Sequence, residues 1–239
     1  MLSRSESKYI QTLSHKKQRD AEGLFIVEGK KLVKELLNSD YKISKIYALQ
    51  SWVDNNKTSI NTIVVSDGEL QKISNLQTAN EVLVVVKIPD ENALLKFEST
   101  ITIALDGIQD PGNLGTIIRI ADWFGISQII CSNDCVELYN PKVIQSTMGS
   151  FIRVNVNYAD LKECLNKTNI PIYGALLNGE DVTKMVKPKE GILLIGNESK
   201  GIRENILPLI TNKISIKKMG GAESLNAAVA TGIILSHLK

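Results

Sequence analysis

Short apolar runs alternate with amphipathic stretches along the whole chain. Residues 24–27 read as a strand, and 30–37 repeat apolar side chains at Leu32, Val33, Leu36 and Leu37, one face of a helix. Strands are predicted at 43–49, 60–65 and 82–88, with a helix at 67–73 capped by Ser66. Residues 89–100 carry proline and mixed charge without a sustained period, which makes them a linker. A second series opens with the β-branched run 101–106, as expected of a buried parallel strand. Further strands at 128–131, 152–156, 170–176, 192–195 and 213–216 alternate with helical stretches such as 116–124, which predicts a mostly parallel sheet with crossover helices. The last helix, 224–238, is apolar on most of its surface and must be buried against the sheet or a second subunit. The expected architecture is α/β in two parts, a small domain over 1–95 and a larger one over 96–239.

Composition narrows the function classes. At 43% hydrophobic and 23% charged residues, the chain is neither disordered nor fibrous. A net charge of +2 excludes an all-over polybasic coat but leaves room for a local basic patch. Lys16, Lys17 and Arg19 lie close enough to track a nucleic-acid backbone; a solvated helix end is the plainer reading of the same cluster. No apolar run reaches membrane length, and the first twenty residues lack the apolar core of a secretion signal. Cys131, Cys135 and Cys164 do not make a disulfide framework, so a reducing cytoplasm is the expected setting.

Ligands of open parallel sheets bind beyond the carboxyl ends of strands, so residues there that propensity does not explain are the candidates for chemistry. The loop 106–115 is rich in Gly and Pro and lets backbone approach a ligand; Asn113 is either a turn residue or functional, and Arg119 either a surface charge or directed back at the loop. Residues 196–201 place Glu198 in a glycine-framed turn, to orient a ligand or to cap the next helix; Ile202-Arg203 stands where a P-loop needs Lys-Ser/Thr. In 216–226 Ser224 is a good helix cap, whereas Asn226 inside the first turn of an apolar helix asks for another reason. His15 and His237 near the ends build neither a Ser-His-Asp triad nor a zinc site, and Cys131-x-x-x-Cys135 alone is a weak metal signal, so no metal is expected. Asn, Arg, Glu and Ser suit positioning better than covalent catalysis.

Taken in order, the three segments resemble the SpoU (TrmH-type) branch of the SPOUT superfamily, S-adenosylmethionine-dependent RNA ribose 2′-O-methyltransferases. Asn113, Gly115 and Arg119 match its N-x-G-x-x-x-R motif; Gly196, Glu198 and Gly201 match G-x-E-x-x-G; Ile216, Gly220, Ser224, Leu225 and Asn226 match the isoleucine-led turn into S-L-N. Residues 139–150 are similar to the family's intermediate stretch, and Phe25-Ile-Val-Glu-Gly29 to its small substrate-binding domain. The resemblance implies a deep trefoil knot in the C-terminal sheet, a homodimer, and ribosomal RNA as substrate; transfer RNA, and a non-catalytic RNA-binding assembly factor of the same fold, remain alternatives. It implies catalytic roles for Asn113, Arg119, Glu198, Ser224 and Asn226. It also implies cofactor contacts at Leu176, Ile195, Gly196, Asn197, Gly201, Ile216, Leu225 and Asn226. The chain departs from the pattern at Lys217-Lys218, where relatives have Pro-Met, at Ser199, where they have Gly, and at Gln145, where they often have Arg.

Overall fold

The computed structural model describes residues 2–90 and 95–239, so positions 91–94 of the expected linker lie outside the described residues. The chain divides into two compact units, Met1–Glu91 with Tyr139–Ile152, and Asn92–Leu138 with Arg153–Lys239.

The first unit carries a four-stranded sheet in the order β1-β4-β2-β3, formed by β1 (Leu24–Glu28), β2 (Ile43–Ala48), β3 (Thr62–Val64) and β4 (Val82–Lys87). The central β4 runs antiparallel to β1 and β2, while β3 is parallel to β2. Around it lie α1 (Arg4–Thr12), α2 (Lys16–Glu22), α3 (Lys30–Leu37), α4 (Gln50–Asn55) and α5 (Asp67–Ile73). The polar α1 escapes a hydrophobic-pattern reading because it buries only Ile10, with Leu13 just beyond it; both join Ile26, Leu70, Ile73 and Leu83 in one core. Ser66 and Glu69 close a capping box at the start of α5, as the sequence leads one to expect of Ser66.

The second unit holds a six-stranded, wholly parallel sheet in the order β10-β8-β9-β5-β6-β7. Along the chain run β5 (Ile101–Asp106), α6 (Pro111–Trp123), β6 (Gln128–Ser132), α7 (Pro141–Thr147), β7 (Asn155–Ala159), α8 (Leu161–Asn166), β8 (Ile172–Asp181), β9 (Gly191–Gly196), β10 (Asn212–Ser215) and α9 (Ala227–Leu238). Of these, α7 belongs to the first unit. There Phe25 stacks against Tyr139 with ring centroids 4.5 Å apart, and Phe151 packs edge-on to Phe25 and Tyr41 at 6.1 and 5.5 Å. The aromatic cluster thus groups residues 139–152 with β1 in the first unit. Among the described residues, no helix is long and apolar enough to cross a membrane.

Among the element boundaries that differ from the sequence expectation, three have a clear local reason. Helix α6 starts at Pro111 rather than 116, since Asp110 caps the Asn113 N–H at 2.8 Å and proline needs no donor in a first turn. A 3-10 turn at Ser150–Ile152 delays β7 to Asn155. Helix α9 starts at Ala227, with Asn226 and not Ser224 as its cap.

Strand β8 is broken in register. It pairs with β10 through Tyr173 and Gly174, then again through Glu180 and Asp181, so 175–179 bow out between the two pairings. A Cβ on Gly179 would fall within 2.6 Å of the Ile214 carbonyl oxygen, so only glycine lets the strands meet again there.

The carboxyl ends of β5 and β9 are tied by charge. Asp106, with no exposed side-chain surface, accepts from the Arg203 backbone N–H at 2.8 Å and from its Nε at 2.5 Å, and its pairing with Arg203 Nη2 completes the contact. Next to it, Gly107 N–H donates to Ser132 Oγ at 2.8 Å and Ile108 N–H to Cys135 Sγ at 3.2 Å. Hydrogen bonding from Cys131 first, then from Ser132 and the Ile108 and Gly107 amides, lowers the Cys135 thiol from its ordinary 9.0 to about 7 against the opposing effect of burial. The hydrogen bond with Cys135, together with burial, pushes Cys131 the other way.

Two outcomes follow for stability. Arg203→Met leaves the Asp106 carboxylate buried and unpaired; it should cost about 2–4 kcal/mol in urea denaturation, less than a fully enclosed pair because Arg203 keeps solvent contact. The double variant Asp106→Asn/Arg203→Met should recover most of that loss. A thiol with a lowered folded-state pKa adds stability that is complete above its unfolded value and lost as pH falls through the folded one. The margin of the wild type over Cys135→Ser should therefore widen between pH about 7 and 9 and be flat below about 6, read by denaturation across pH.

Candidate functional site

The loops that follow β5, β9 and β10 converge at one end of the parallel sheet. Asn113, in the first turn of α6, donates from Nδ2 to Glu198 Oε1 at 2.5 Å. Its Oδ1 accepts from Asn226 Nδ2 at 2.7 Å, and Asn226 Oδ1 in turn accepts from the Ala228 and Val229 amides at 3.0 and 3.2 Å. Three residues at separations of 85 and 113 along the chain thus form a single relay, oriented end to end because each amide has one donor and one acceptor side. Asn226 answers both readings of its position: its oxygen caps the last helix and its nitrogen reaches the site. Glu198 caps no helix; it accepts from Asn113.

The loop that carries Glu198 is held on both sides. Before it, Asn197 donates from Nδ2 to the Gly107 carbonyl at 2.7 Å and gathers the Ser199 and Lys200 amides on Oδ1. After it, Arg203 is fixed on Asp106. Asn197 and Gly201 exchange backbone hydrogen bonds at 3.1 and 2.8 Å, and a Cβ on Gly196 would fall within 2.6 Å of the Gly201 carbonyl, so this turn closes only over glycine.

Beside the relay lies an open cavity of about 960 Å³, walled by the bowed segment of β8, the loop after β9, the loop after β10 and the first turns of α9. Leu176, Ile195, Gly196, Asn197, Gly201, Ile216 and Leu225 all line it, as does Ser224 at the exposed mouth; Asn226 does not, although its two chain neighbours do. Aliphatic walls with loop backbone between them suit a flat heterocycle joined to a polar tail, and the volume is that of a small-molecule site. The size and donor set fit a nucleoside-like cofactor such as S-adenosylmethionine. Among the described residues, no group of three or more His, Cys, Asp or Glu could hold a metal ion.

Other predicted residues fall elsewhere. Arg119 is exposed on α6 and joins neither the relay nor the cavity wall. In the first unit Lys16 and Lys17 are exposed, with Lys16 2.5 Å from Asp20. Arg19 does not belong with them: it is 1% exposed and its Nη1 donates to the Leu13 carbonyl at 2.7 Å, bracing the turn between α1 and α2. Its charge reads as a surface group in sequence, and a buried carbonyl claims it instead. Sequence reasoning also passed over Asp106 and Arg203 as partners, and the contribution of Ala175 to the cavity, which depends on the β8 register break and has no local signal.

Comparison with known proteins places this geometry. Residues 100–236 match the SpoU rRNA Methylase family, and residues 5–84 match the MRM3-like substrate binding domain. The chain is 28% identical over 233 residues to the 23S rRNA (guanosine(2553)-2′-O)-methyltransferase RlmP of Bacillus subtilis, covering 95% of this chain and 93% of that protein. A solved TrmH-family structure from Porphyromonas gingivalis superposes with a TM-score of 0.90 at 31% identity, over 100% of this chain and 98% of the other. An AdoMet-bound rRNA methyltransferase from Sinorhizobium meliloti does so with a TM-score of 0.88 at 27% identity, over 100% and 96%. With two of the three motifs on the wall of one cavity, Asn113 of the first tied to them by the relay, and the match running through both units, this chain belongs to the SpoU rRNA methylase family.

Proposed function

We propose that this protein transfers a methyl group from S-adenosylmethionine to a ribose 2′-hydroxyl of ribosomal RNA. The observation that carries the reading is the Glu198–Asn113–Asn226 relay set against a cavity walled by the loops that follow β9 and β10. When bound, the cofactor supplies a methyl group on a positively charged sulfur, so the chain's own task is to hold a poor nucleophile in place and stabilise the charge that grows on it as its proton leaves. Leu176, Ile195, Ile216 and Leu225 enclose apolar surface, while the backbone around Gly196, Asn197 and Gly201 meets polar edges. Glu198 keeps Asn113 in one orientation, and Asn113 keeps Asn226 so, which presents a fixed set of donors and acceptors to the ribose at no cost in reorganisation. Ser224, at the mouth, adds a hydroxyl within the same wall.

Arg119 acts as a donor. A guanidinium carries no acceptor, so it stabilises negative charge growing on the ribose oxygen while the proton leaves to an RNA phosphate or to water. It reaches that oxygen in a homodimer. Support comes from its place on α6, which packs against α9, together with Trp123 and Val229, exposed to 86% and 51% on the same two helices. Lys16 and Lys17 serve as RNA contacts of the substrate-binding unit. The C-terminal segment is knotted, as its resemblance to the SpoU branch implies. Free thiols at Cys131, Cys135 and Cys164 accord with a cytoplasmic setting.

Labelled methyl should pass from S-adenosylmethionine to a ribose 2′-oxygen in unmodified ribosomal RNA and not in transfer RNA. Asn113→Ala and Arg119→Ala should each lower kcat by about 100-fold or more, with cofactor affinity within a few-fold of wild type. Absence of label from both pools, with RNA binding retained, would replace this reading by that of a non-catalytic assembly factor. Light scattering at micromolar concentration should give a dimer of the 26.3 kDa chain, and Trp123→Lys should convert it to a monomer with little activity.

A further inference from the structure

The cavity mouth carries charge that neither the relay nor the apolar walls use. Lys200 rises from the loop after β9, and Lys217 and Lys218 from the loop after β10; all three line the cavity and are exposed. None closes an ion pair or a side-chain hydrogen bond among the described residues. Lys200 is near enough to Asp134, and Lys217 to Asp181, to help keep those carboxylates ionised, while Glu198 is occupied by Asn113 and Glu223 is the remaining acid of the wall. Leu177 and Met219, exposed to 80% and 85%, line the same cavity, so its rim carries apolar as well as cationic surface. Such a rim is complementary to an unpaired polynucleotide, whose phosphates meet the lysines and whose bases cover the aliphatic side chains.

We infer that Lys217 and Lys218, with Lys200 from the loop after β9, form a phosphate-binding rim that grips single-stranded RNA on either side of the nucleotide entering the cavity. The inference rests on the proposed RNA substrate and adds the contact that feeds it to the site. A ribose presented to the relay must trail its two flanking phosphates across the mouth, and two separate loops of lysine frame that path. Burial of the cofactor's own carboxylate by the same lysines is the competing use, and it would require them to fold inward from an exposed position.

The test uses the full chain and a fluorescent single-stranded RNA taken from an unmodified ribosomal loop, with anisotropy read across a salt series and S-adenosylmethionine binding read by calorimetry. Lys217→Ala/Lys218→Ala should weaken RNA binding by about 10-fold at low salt and flatten the dependence of log Kd on log salt by about 1.4, near 0.7 for each lost single-strand phosphate contact. Lys200→Ala should flatten it by about half as much. Lys217→Arg/Lys218→Arg should restore the slope, and cofactor Kd should stay within twofold throughout. An unchanged salt slope with weakened cofactor binding would assign the lysines to the cofactor carboxylate and overturn the rim. An unchanged slope with a loss of dimer in light scattering would assign them to a subunit contact and overturn it equally. None of these readings needs turnover, so failure of methyl transfer in the wild type would count against the enzymatic function and leave the rim to be judged by its slope.

Discussion

A carboxylate with no exposed surface is tolerable only beside a fixed positive partner, and Asp106 meets that demand by capturing Arg203 from 97 residues further along the chain. The rest of the site hangs on this pairing. It pins the end of β9 to the end of β5, and with Asn197 on the Gly107 carbonyl it leaves the intervening turn little freedom. Glu198 stands inside that turn, so its position is inherited from a charge interaction in which it takes no part. Arg203 is cationic, yet with Asp106 against it and Asp134 3.5 Å away it is already neutralised, which separates it from the unpaired lysines of the rim.

The same economy appears in Asn226. A helix as apolar as α9 exposes bare amides at its start and needs a cap; a catalytic surface needs oriented donors. One side chain meets both needs because its two ends are chemically different. Any replacement that keeps the cap but not the amide nitrogen, such as aspartate, would hold the helix and disconnect the relay. Function and fold are here separable within one residue.

Much of the site was readable in the chain because its residues violate local rules: Gly196 and Gly201 where a strand ends, Glu198 between them, Asn226 in an apolar context. The family motifs then joined what periodicity could not. What stayed hidden was decided by partners distant in sequence. Asn226 as the cap lost to Ser224 because both are good capping residues and only the contact with Asn113 selects between them. Arg19 read as surface because nothing local announces that Leu13 turns its carbonyl inward. The bow in β8 follows from the register of β10, whose Ile214 lies over Gly179, and the strand pattern of 172–181 alone carries no trace of it. The alternation of strands and helices, by contrast, is a local matter, and most of it was legible.

The return of residues 139–152 to the first unit bears on how the chain is made. Phe25 lies fully buried in the folded protein, and two of the rings that cover it, Tyr139 and Phe151, are encoded more than a hundred residues later. At about 5–20 residues per second, a ribosome would finish the four strands of the small sheet several seconds before the lid over Phe25 emerges. During vectorial synthesis the N-terminal sheet therefore waits with an open aromatic socket, and it is closed only after β5 and β6, two of the next unit's six strands, have already left the tunnel. The two units are thus coupled in time by translation order, and neither can be completed without the other being under way.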